Sequence, residues 1–387
     1  MQATAAAAGG SGRAMKIGIP KERHEDERRV AASPETVKRY KAMGLEPVVE
    51  AGAGEGAAVG DQAFADAGAT IAPDGAAWDC EIVLKVQPPT EAEIGRLRQG
   101  QVLIGMLDPY NSRDQVEAYA KAGVSAFALE LLPRTTRAQA MDVLSSQANL
   151  AGYKALIDAM AAYSRVLPMM MTAAGTVTPA KVFIVGAGVA GLQAIATARR
   201  MGAVVTATDV RPAAREETES LGAKFVGFVP ADAATKGGYA RPLTPEEQTE
   251  QARMVAEHLK SQDIVVTTAQ IPGRKAPRIV TDEMLRTMKP GSVVLDMAAE
   301  SGGNVEGSVP GQSVTIGGVT LIGARNLPAR IAPATTVLYA KNLMNFVQLL
   351  VDPKNQELKI DTDDELIKGT LLTTGGAIVH DAFKPAA

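Results

Sequence analysis

From Met15 onward, apolar residues come in short dense runs, separated by stretches in which they recur every three or four positions. The runs "MKIGIP", "EPVVEAG", "CEIVLKVQ", "QVLIGML" and "VSAFALELL" are rich in aliphatic and β-branched residues and predict strands. Between them, "SPETVKRYKAMG" and "RDQVEAYAKAG" carry the helical period, with Ser33 before Pro34 as an N-cap and Gly44 as a C-terminal stop. Strands alternating with helices predict a mostly parallel sheet covered on both faces. A second series of the same kind starts at "KVFIVGAG" and runs through "AVVTATDV", "AKFVGFV", "DIVVTTAQ" and "SVVLDMAAE".

Two long helical stretches accompany these series, one from about Ala138 to Ser164 and one in "PATTVLYAKNLMNFVQLLVD". The polar segment "PRTTRAQAMDVLSSQANLAGY" (Pro133–Tyr153) reads as the start of the first, either as a solvated connector or as one wall of a site. After it, "VLPMMMTAAGTVTPA" predicts a hairpin turning at Gly175-Thr176, whose methionines pack in their own domain or on another subunit. The tail "LIKGTLLTTGGAIVHD" reads as a small β unit that returns to the first domain. The expected architecture is α/β, with two doubly wound Rossmann-like domains of mostly parallel sheet joined by two long helices. Residues 1–14 are expected to form a flexible extension, 15–143 plus 333–387 the first domain, and 144–332 a dinucleotide-binding domain.

Composition restricts the function classes. A length of 387 residues suits two domains, and 46% hydrophobic with 21% charged residues suits a soluble globular chain. A net charge of −3 gives no general electrostatic reason to bind nucleic acid or an anionic membrane. The single cysteine, Cys80, rules out an internal disulfide and fits a reducing compartment. No apolar run reaches the roughly 18–20 residues that span a bilayer, and the opening "MQATAAAAGGSGRA" lacks the apolar core of a signal peptide. The expectation is a cytoplasmic protein. No H-x-x-x-H or paired-cysteine spacing points to a metal.

The strongest chemical signal is "VFIVGAGVAGLQAIATARRMGAVVTATD". Gly186, Gly188 and Gly191 form G-x-G-x-x-G directly after a strand and open a helix. The first glycine permits the tight turn, the second lets the backbone approach a pyrophosphate, and the third lets helix and strand pack closely. The helix N-terminus then offers free N–H groups and a positive dipole end to phosphate. Asp209 ends the next strand, where a carboxylate holds ribose hydroxyls and repels a 2′-phosphate, which favours NAD over NADP. Arg211 is a reservation, since an arginine near this point can receive that phosphate. The first domain has no such turn; "IPKERHEDERRVAASPE" follows its first strand instead.

Groups for acid–base work are scarce. His258 reads as a surface residue of a charged helix, and His24 and His380 as structural. Lys85, ending "EIVLKVQPP", is either a catalytic lysine or a structural one. The aperiodic stretch "FVPADAATKGGYARPLTPEEQ" is either an inert loop or a lid with Tyr239 near its tip.

Together these motifs resemble the NAD(H)-binding component (domain I, alpha subunit) of proton-translocating nicotinamide nucleotide transhydrogenase, over nearly the whole chain from Met15. "RAQAMDVLSSQANLAGYKA" is the most specific element, whereas "PKERHEDERRVAASPE" and "MKPGSVVLDMAAESGGN" are shared more loosely with the related alanine dehydrogenase family. The resemblance implies that Arg134, Gln139 and Asp142 surround the nicotinamide, with Ser145 one turn on. It further implies cofactor contacts at Val189, Ala190, Gly191, Asp209, Val210, Arg211, Gly238, Gln251 and Gln270, and a mobile loop tipped by Tyr239 that closes over NAD(H). Relatives usually carry an apolar residue where Gln270 stands.

One departure separates the two families. Alanine dehydrogenases carry a catalytic histidine after the strand equivalent to "QVLIGML", and here Met106 stands near that place, although Lys85 and Arg29 persist. Hydride transfer between two nicotinamides needs no proton, so this absence favours transhydrogenation. The resemblance implies a homodimer that binds NAD(H), needs no metal, and passes hydride to NADP(H) on a partner domain. The membrane-spanning proton-channel subunit would be another polypeptide, leaving this chain cytoplasmic and peripheral to the inner membrane. The alternatives are an amino-acid dehydrogenase like alanine dehydrogenase and a non-catalytic NAD(H)-binding module.

Overall fold

Strand and helix periods alternate along the chain as the sequence pattern demands, and a computed structural model describes residues 14–227, 244–271, 273–352 and 357–384. The chain divides into two compact units, the first drawn from Met1–Gln147 and Ala329–Ala387, the second being Ala148–Pro328.

In the first unit, β1 (Lys16–Ile19), α1 (Pro34–Ala42), β2 (Glu46–Glu50), α2 (Asp61–Asp66) and β3 (Thr70–Ala72) build one half of a sheet. The other half follows as β4 (Ile82–Leu84), α3 (Glu91–Ile94), β5 (Val102–Gly105), α4 (Arg113–Lys121) and β6 (Ser125–Ala128). Ser33 caps α1 as expected, accepting the Thr36 backbone N–H while the Thr36 hydroxyl oxygen accepts that of Ser33.

Helix α5 (Val143–Ala162) contains the unit boundary and leads into the second unit. That unit comprises the hairpin β7 (Met170–Thr172) and β8 (Gly175–Val177), then β9 (Lys181–Val185), α6 (Val189–Arg200), β10 (Val204–Thr208), α7 (Ala213–Ser220) and β11 (Lys224–Phe225). It continues through α8 (Pro245–Leu259), β12 (Ile264–Thr267), α9 (Asp282–Arg286), β13 (Val293–Asp296), β14 (Ser313–Ile316) and β15 (Val319–Gly323). The chain re-enters the first unit with α10 (Ala332–Leu350), the short pair β16 (Val351–Asp352) and β17 (Glu357–Leu358), α11 (Glu365–Thr370), β18 (Leu371–Thr374) and β19 (Ala377–Ile378).

The first sheet has the order β19-β18-β6-β5-β4-β1-β2-β3, and the second β11-β10-β9-β12-β13-β15-β14. All neighbours from β3 to β6, and from β11 to β15, pair in parallel; β18, β19 and β14 add antiparallel edges. Each order reverses at one place, β1/β4 in the first unit and β9/β12 in the second, which makes both doubly wound. Side chains alternate between the faces: Val182, Ile184, Val266 and Leu295 join one core of the second unit, Phe183, Val185, Val265 and Val294 the other. Burial at each such position contributes roughly 1.5–3 kcal/mol, which is why both faces must be covered.

Three expectations need correction. The helix does not begin within "RAQAM": Thr136–Met141 form a 3₁₀ turn, Asp142 is extended, and α5 starts at Val143. The hairpin turns at Ala173-Ala174 rather than at Gly175-Thr176, because Thr172 pairs with Gly175 and Met171 with Thr176. The tail is a helix followed by a β hairpin that extends the first sheet, not a β unit alone. Of the two long helices, α5 carries the chain from one unit to the other, while α10 belongs wholly to the first unit.

Candidate functional site

The second unit gathers its chemistry at the C-terminal ends of β9, β10 and β12. Gly186 leaves β9 with φ +98°, a backbone state that side chains other than glycine's disfavour, and the Thr268 hydroxyl donates to its carbonyl at 2.9 Å. A Cβ at Gly191 would lie 1.8 Å from the Gly186 carbonyl oxygen, so helix α6 can approach the turn only with glycine there. Gly188, the residue before α6, has no side-chain cap, and a Cβ at that position would meet nothing within 4 Å. Open space beside uncapped backbone N–H groups is what a pyrophosphate requires, so these residues fit the dinucleotide the sequence calls for.

Asp209 follows β10 and closes the turn from the other side. Its carboxylate accepts the Ala187 N–H at 2.8 Å and the Arg211 N–H at 2.8 Å, and Arg211 Nε lies 3.1 Å from Oδ1. Gln251, on α8, donates to the Thr208 hydroxyl at 2.8 Å, which places it beside the end of β10. Val189 and Val210 are exposed and Ala190 half-buried. Gln270, after β12, is exposed and donates to the Met297 carbonyl at 3.3 Å. The second unit thus brings together Gly186, Gly188, Val189, Ala190, Gly191, Asp209, Val210, Arg211, Gln251 and Gln270. Gly238 and Tyr239 lie outside the described residues.

Arg134, Gln139, Asp142 and Ser145 belong to the first unit. Asp142 caps α5: its carboxylate accepts the Ser145 N–H at 2.8 Å and the Ser145 hydroxyl at 2.6 Å. Buried Ala138 and Met141 anchor the 3₁₀ turn, leaving Gln139 exposed. The amides of Asn342 and Asn345 on α10 both donate to the Ala140 carbonyl at 2.9 Å, pinning the turn from outside.

At the β1/β4 reversal of the first unit, Lys85 is fully buried between Glu22 (3.0 Å) and Glu93 (3.1 Å). Burial alone would push its ammonium down, and these carboxylates more than reverse that. Arg29 is held by the Glu27 carboxylate at 2.8 and 2.6 Å and by Gln147 Oε1 at 2.8 Å. Burial would raise the Glu27 carboxyl, but Arg29 brings it down to about 2. The Tyr339 hydroxyl donates to the Lys85 carbonyl (2.8 Å) and accepts the Met106 N–H (3.2 Å). Both cations are already satisfied internally, the arrangement of the structural reading of Lys85.

None of the three histidines stands near Met106. His24 meets the Pro88 carbonyl (2.9 Å) and His380 the Gly369 carbonyl (3.2 Å). His258 is half-buried rather than on the surface, because its ring packs edge-on against Phe183 and meets the Thr206 hydroxyl at 2.8 Å. Among the described residues no group of three or more His, Cys, Asp or Glu could hold a metal ion, and no helix is long and apolar enough to cross a membrane.

Sequence reasoning missed several supporting residues. Asn304, fully buried, exchanges hydrogen bonds with Ala269 (3.0 and 2.8 Å) and fixes the backbone after β12. Asp296, also fully buried, accepts the Thr267 hydroxyl (3.0 Å) and the Ala298 and Val305 N–H groups (2.9 and 3.1 Å). An acid ending the apolar run "SVVLD" was the available signal for Asp296; Asn304 offered none beyond its preceding glycine pair. Glu130, after β6, accepts the Leu107 and Asp108 N–H groups at 2.8 and 2.5 Å and ties the end of β5 to the segment leading into the 3₁₀ turn.

Two family models match the chain: Alanine dehydrogenase/PNT, N-terminal domain, over residues 18–151, and Alanine dehydrogenase/PNT, C-terminal domain, over 155–381. An NAD(P) transhydrogenase alpha subunit of Rhodospirillum rubrum is 50% identical over 379 residues, covering 95% of this chain and 99% of that protein. A crystal structure of transhydrogenase from Sinorhizobium meliloti superimposes with a TM-score of 0.84 at 51% identity, covering 95% of this chain and 99% of that one. The alanine dehydrogenase of Mycobacterium tuberculosis is 31% identical over 353 residues, covering 87% of this chain and 88% of that protein.

Proposed function

The chain belongs to the alanine dehydrogenase/PNT family, and within it we propose that it is the NAD(H)-binding component of a proton-translocating NAD(P) transhydrogenase. One observation carries the choice: a nucleotide-binding turn occurs in a chain whose histidines are all tied elsewhere, with Met106 after β5. Reduction of a 2-oxo acid to an amino acid moves a proton as well as a hydride, whereas exchange between nicotinamides moves only hydride.

NADH, when bound, supplies the hydride. The N–H groups opening α6 hold the pyrophosphate and Asp209 the ribose hydroxyls, which favours NAD(H) over NADP(H). Val189, Ala190, Val210, Arg211, Gln251 and Gln270 line the same site, and Gly238 and Tyr239 close over it. Arg134, Gln139 and Asp142, with Ser145, fix the rotation of the nicotinamide, so that its C4 can come within roughly 3–3.5 Å of the acceptor's. NADP(H) is held by a partner domain, and a membrane-spanning partner subunit couples the transfer to proton movement, so this chain sits on the cytoplasmic side of the membrane through its partners. The exposed hairpin of β7 and β8, with Met169 59%, Met170 44% and Met171 76% exposed, is the contact of a homodimer.

Mixing the chain with the NADP(H)-binding component of a transhydrogenase should give hydride transfer from NADH to NADP+. Turnover with pyruvate, ammonia and NADH, without transfer in the mixture, would make it an alanine dehydrogenase. NADH binding with neither reaction would leave a non-catalytic module.

A further inference from the structure

The strand-end acid of the second unit is one member of a three-charge group. Arg211 lies across Asp209, with Nε 3.1 Å from Oδ1 and Nη2 3.3 Å from Oδ2, and Nη2 also donates to the Ala187 carbonyl at 2.9 Å. On its other side stands Glu217 of α7, whose Oε2 is 3.7 Å from Arg211 Nη2. That oxygen is buried and makes no hydrogen bond, so the guanidinium is the charge it faces. Arg215, the next cation along α7, is drawn away over the Phe225 ring, 5.0 Å from its centroid.

An arginine close to the strand-end acid is the group that receives a 2′-phosphate where one is accepted. Here it is held by a carboxylate on each side and by a carbonyl, and the three charges sum to −1. We propose that Glu217 is a specificity-determining residue of the dinucleotide site: with Asp209 it holds and neutralises Arg211, denying the guanidinium to a 2′-phosphate. This rests on the reading of the glycine turn as the NAD(H) site. Glu217 acts through Arg211 and not by touching the cofactor; it is a positioning residue. It lies one guanidinium from the ribose acid, so its charge opposes an incoming phosphate dianion at about 8 Å, a range at which charges still interact. In a largely solvated site that repulsion is worth about tenfold in affinity.

The test is Glu217→Gln in the whole chain, with NADH and NADPH dissociation constants measured by calorimetry at two ionic strengths. The expected result is NADPH binding strengthened about tenfold and NADH within about twofold of wild type, with the gain shrinking as salt rises. A helix-packing role alone would move both nucleotides together and show no such salt dependence. Glu217→Asp, which keeps the charge, should retain the wild-type preference and so controls for damage to α7. Normal NADH binding with an unchanged NADPH-to-NADH ratio in Glu217→Gln would overturn the inference and leave the site assignment standing. A wild-type chain that binds neither nucleotide would overturn both.

Discussion

Glu130 shows how much a single buried carboxyl can govern. One oxygen holds two backbone N–H groups while the other is buried with no hydrogen bond, and burial pushes the carboxyl up from 4.5 to about 7. The Asp108 carboxylate beside it pushes in the same direction, and the Tyr119 and Tyr339 hydroxyls face it from α4 and α10. Because the folded-state value is raised, the native chain binds this proton more tightly than the unfolded chain. Its contribution is therefore fully present below about pH 4.5 and is lost as pH rises through 7. Glu130→Gln keeps an acceptor for Leu107 and Asp108 but cannot ionise. Relative to wild type it should gain roughly 2–4 kcal/mol between about pH 5 and pH 8. Calorimetric melting of both proteins across that range checks this, and parallel pH profiles would refute it. Asp209 was legible because a glycine turn and a following strand announce an acid in that position. Glu130 and Glu217 were not: their importance comes from burial and neighbours that no local pattern encodes.

At the scale of elements, the turn Thr136–Met141 and the start of α5 matter most. "TRAQAMDVLSSQ" is helix-prone throughout, so composition does not reveal that the chain breaks at Asp142; the cue was an aspartate three residues before a serine, which is a helix cap. Likewise Gly175 drew the hairpin turn to itself, although it is already paired with Thr172 and the alanines before it make the bend. The cap gives the mutants a built-in control. Asparagine caps as well as aspartate, so Asp142→Asn should keep α5 intact while changing what is offered to the cofactor. Gln139→Asn shortens an exposed amide by one methylene. A misplacement near 1 Å can cost on the order of 100-fold in rate. Both variants should slow hydride transfer strongly while altering NADH affinity by less than about tenfold, since pyrophosphate and ribose contacts carry most of the binding. Stopped-flow transfer with the NADP(H)-binding partner, alongside calorimetry of NADH, tests the pair; undiminished rates in both would make the turn a solvated connector.

For the whole molecule, the sequence pattern announced two parallel sheets and a return of the tail to the first, because periodicity reports layers well. It could not show that both sheets reverse their order in the same way, with a glycine turn at one reversal and a buried lysine at the other. The exposed methionines of the hairpin predict a dimer at micromolar concentration, and sedimentation showing a monomer would refute it. The second unit is a continuous stretch of chain, whereas the first is interrupted by it. On a ribosome, Ala148–Pro328 has all its strands before α10 or β18 has been made, and β6 waits for its antiparallel neighbour until synthesis is nearly over. The nucleotide-binding half should therefore mature first and act as a finished insert around which the earlier half closes. Expressed alone, residues 148–328 should unfold cooperatively and be protected by NADH, while a chain cut off before α10 should expose β6 and aggregate.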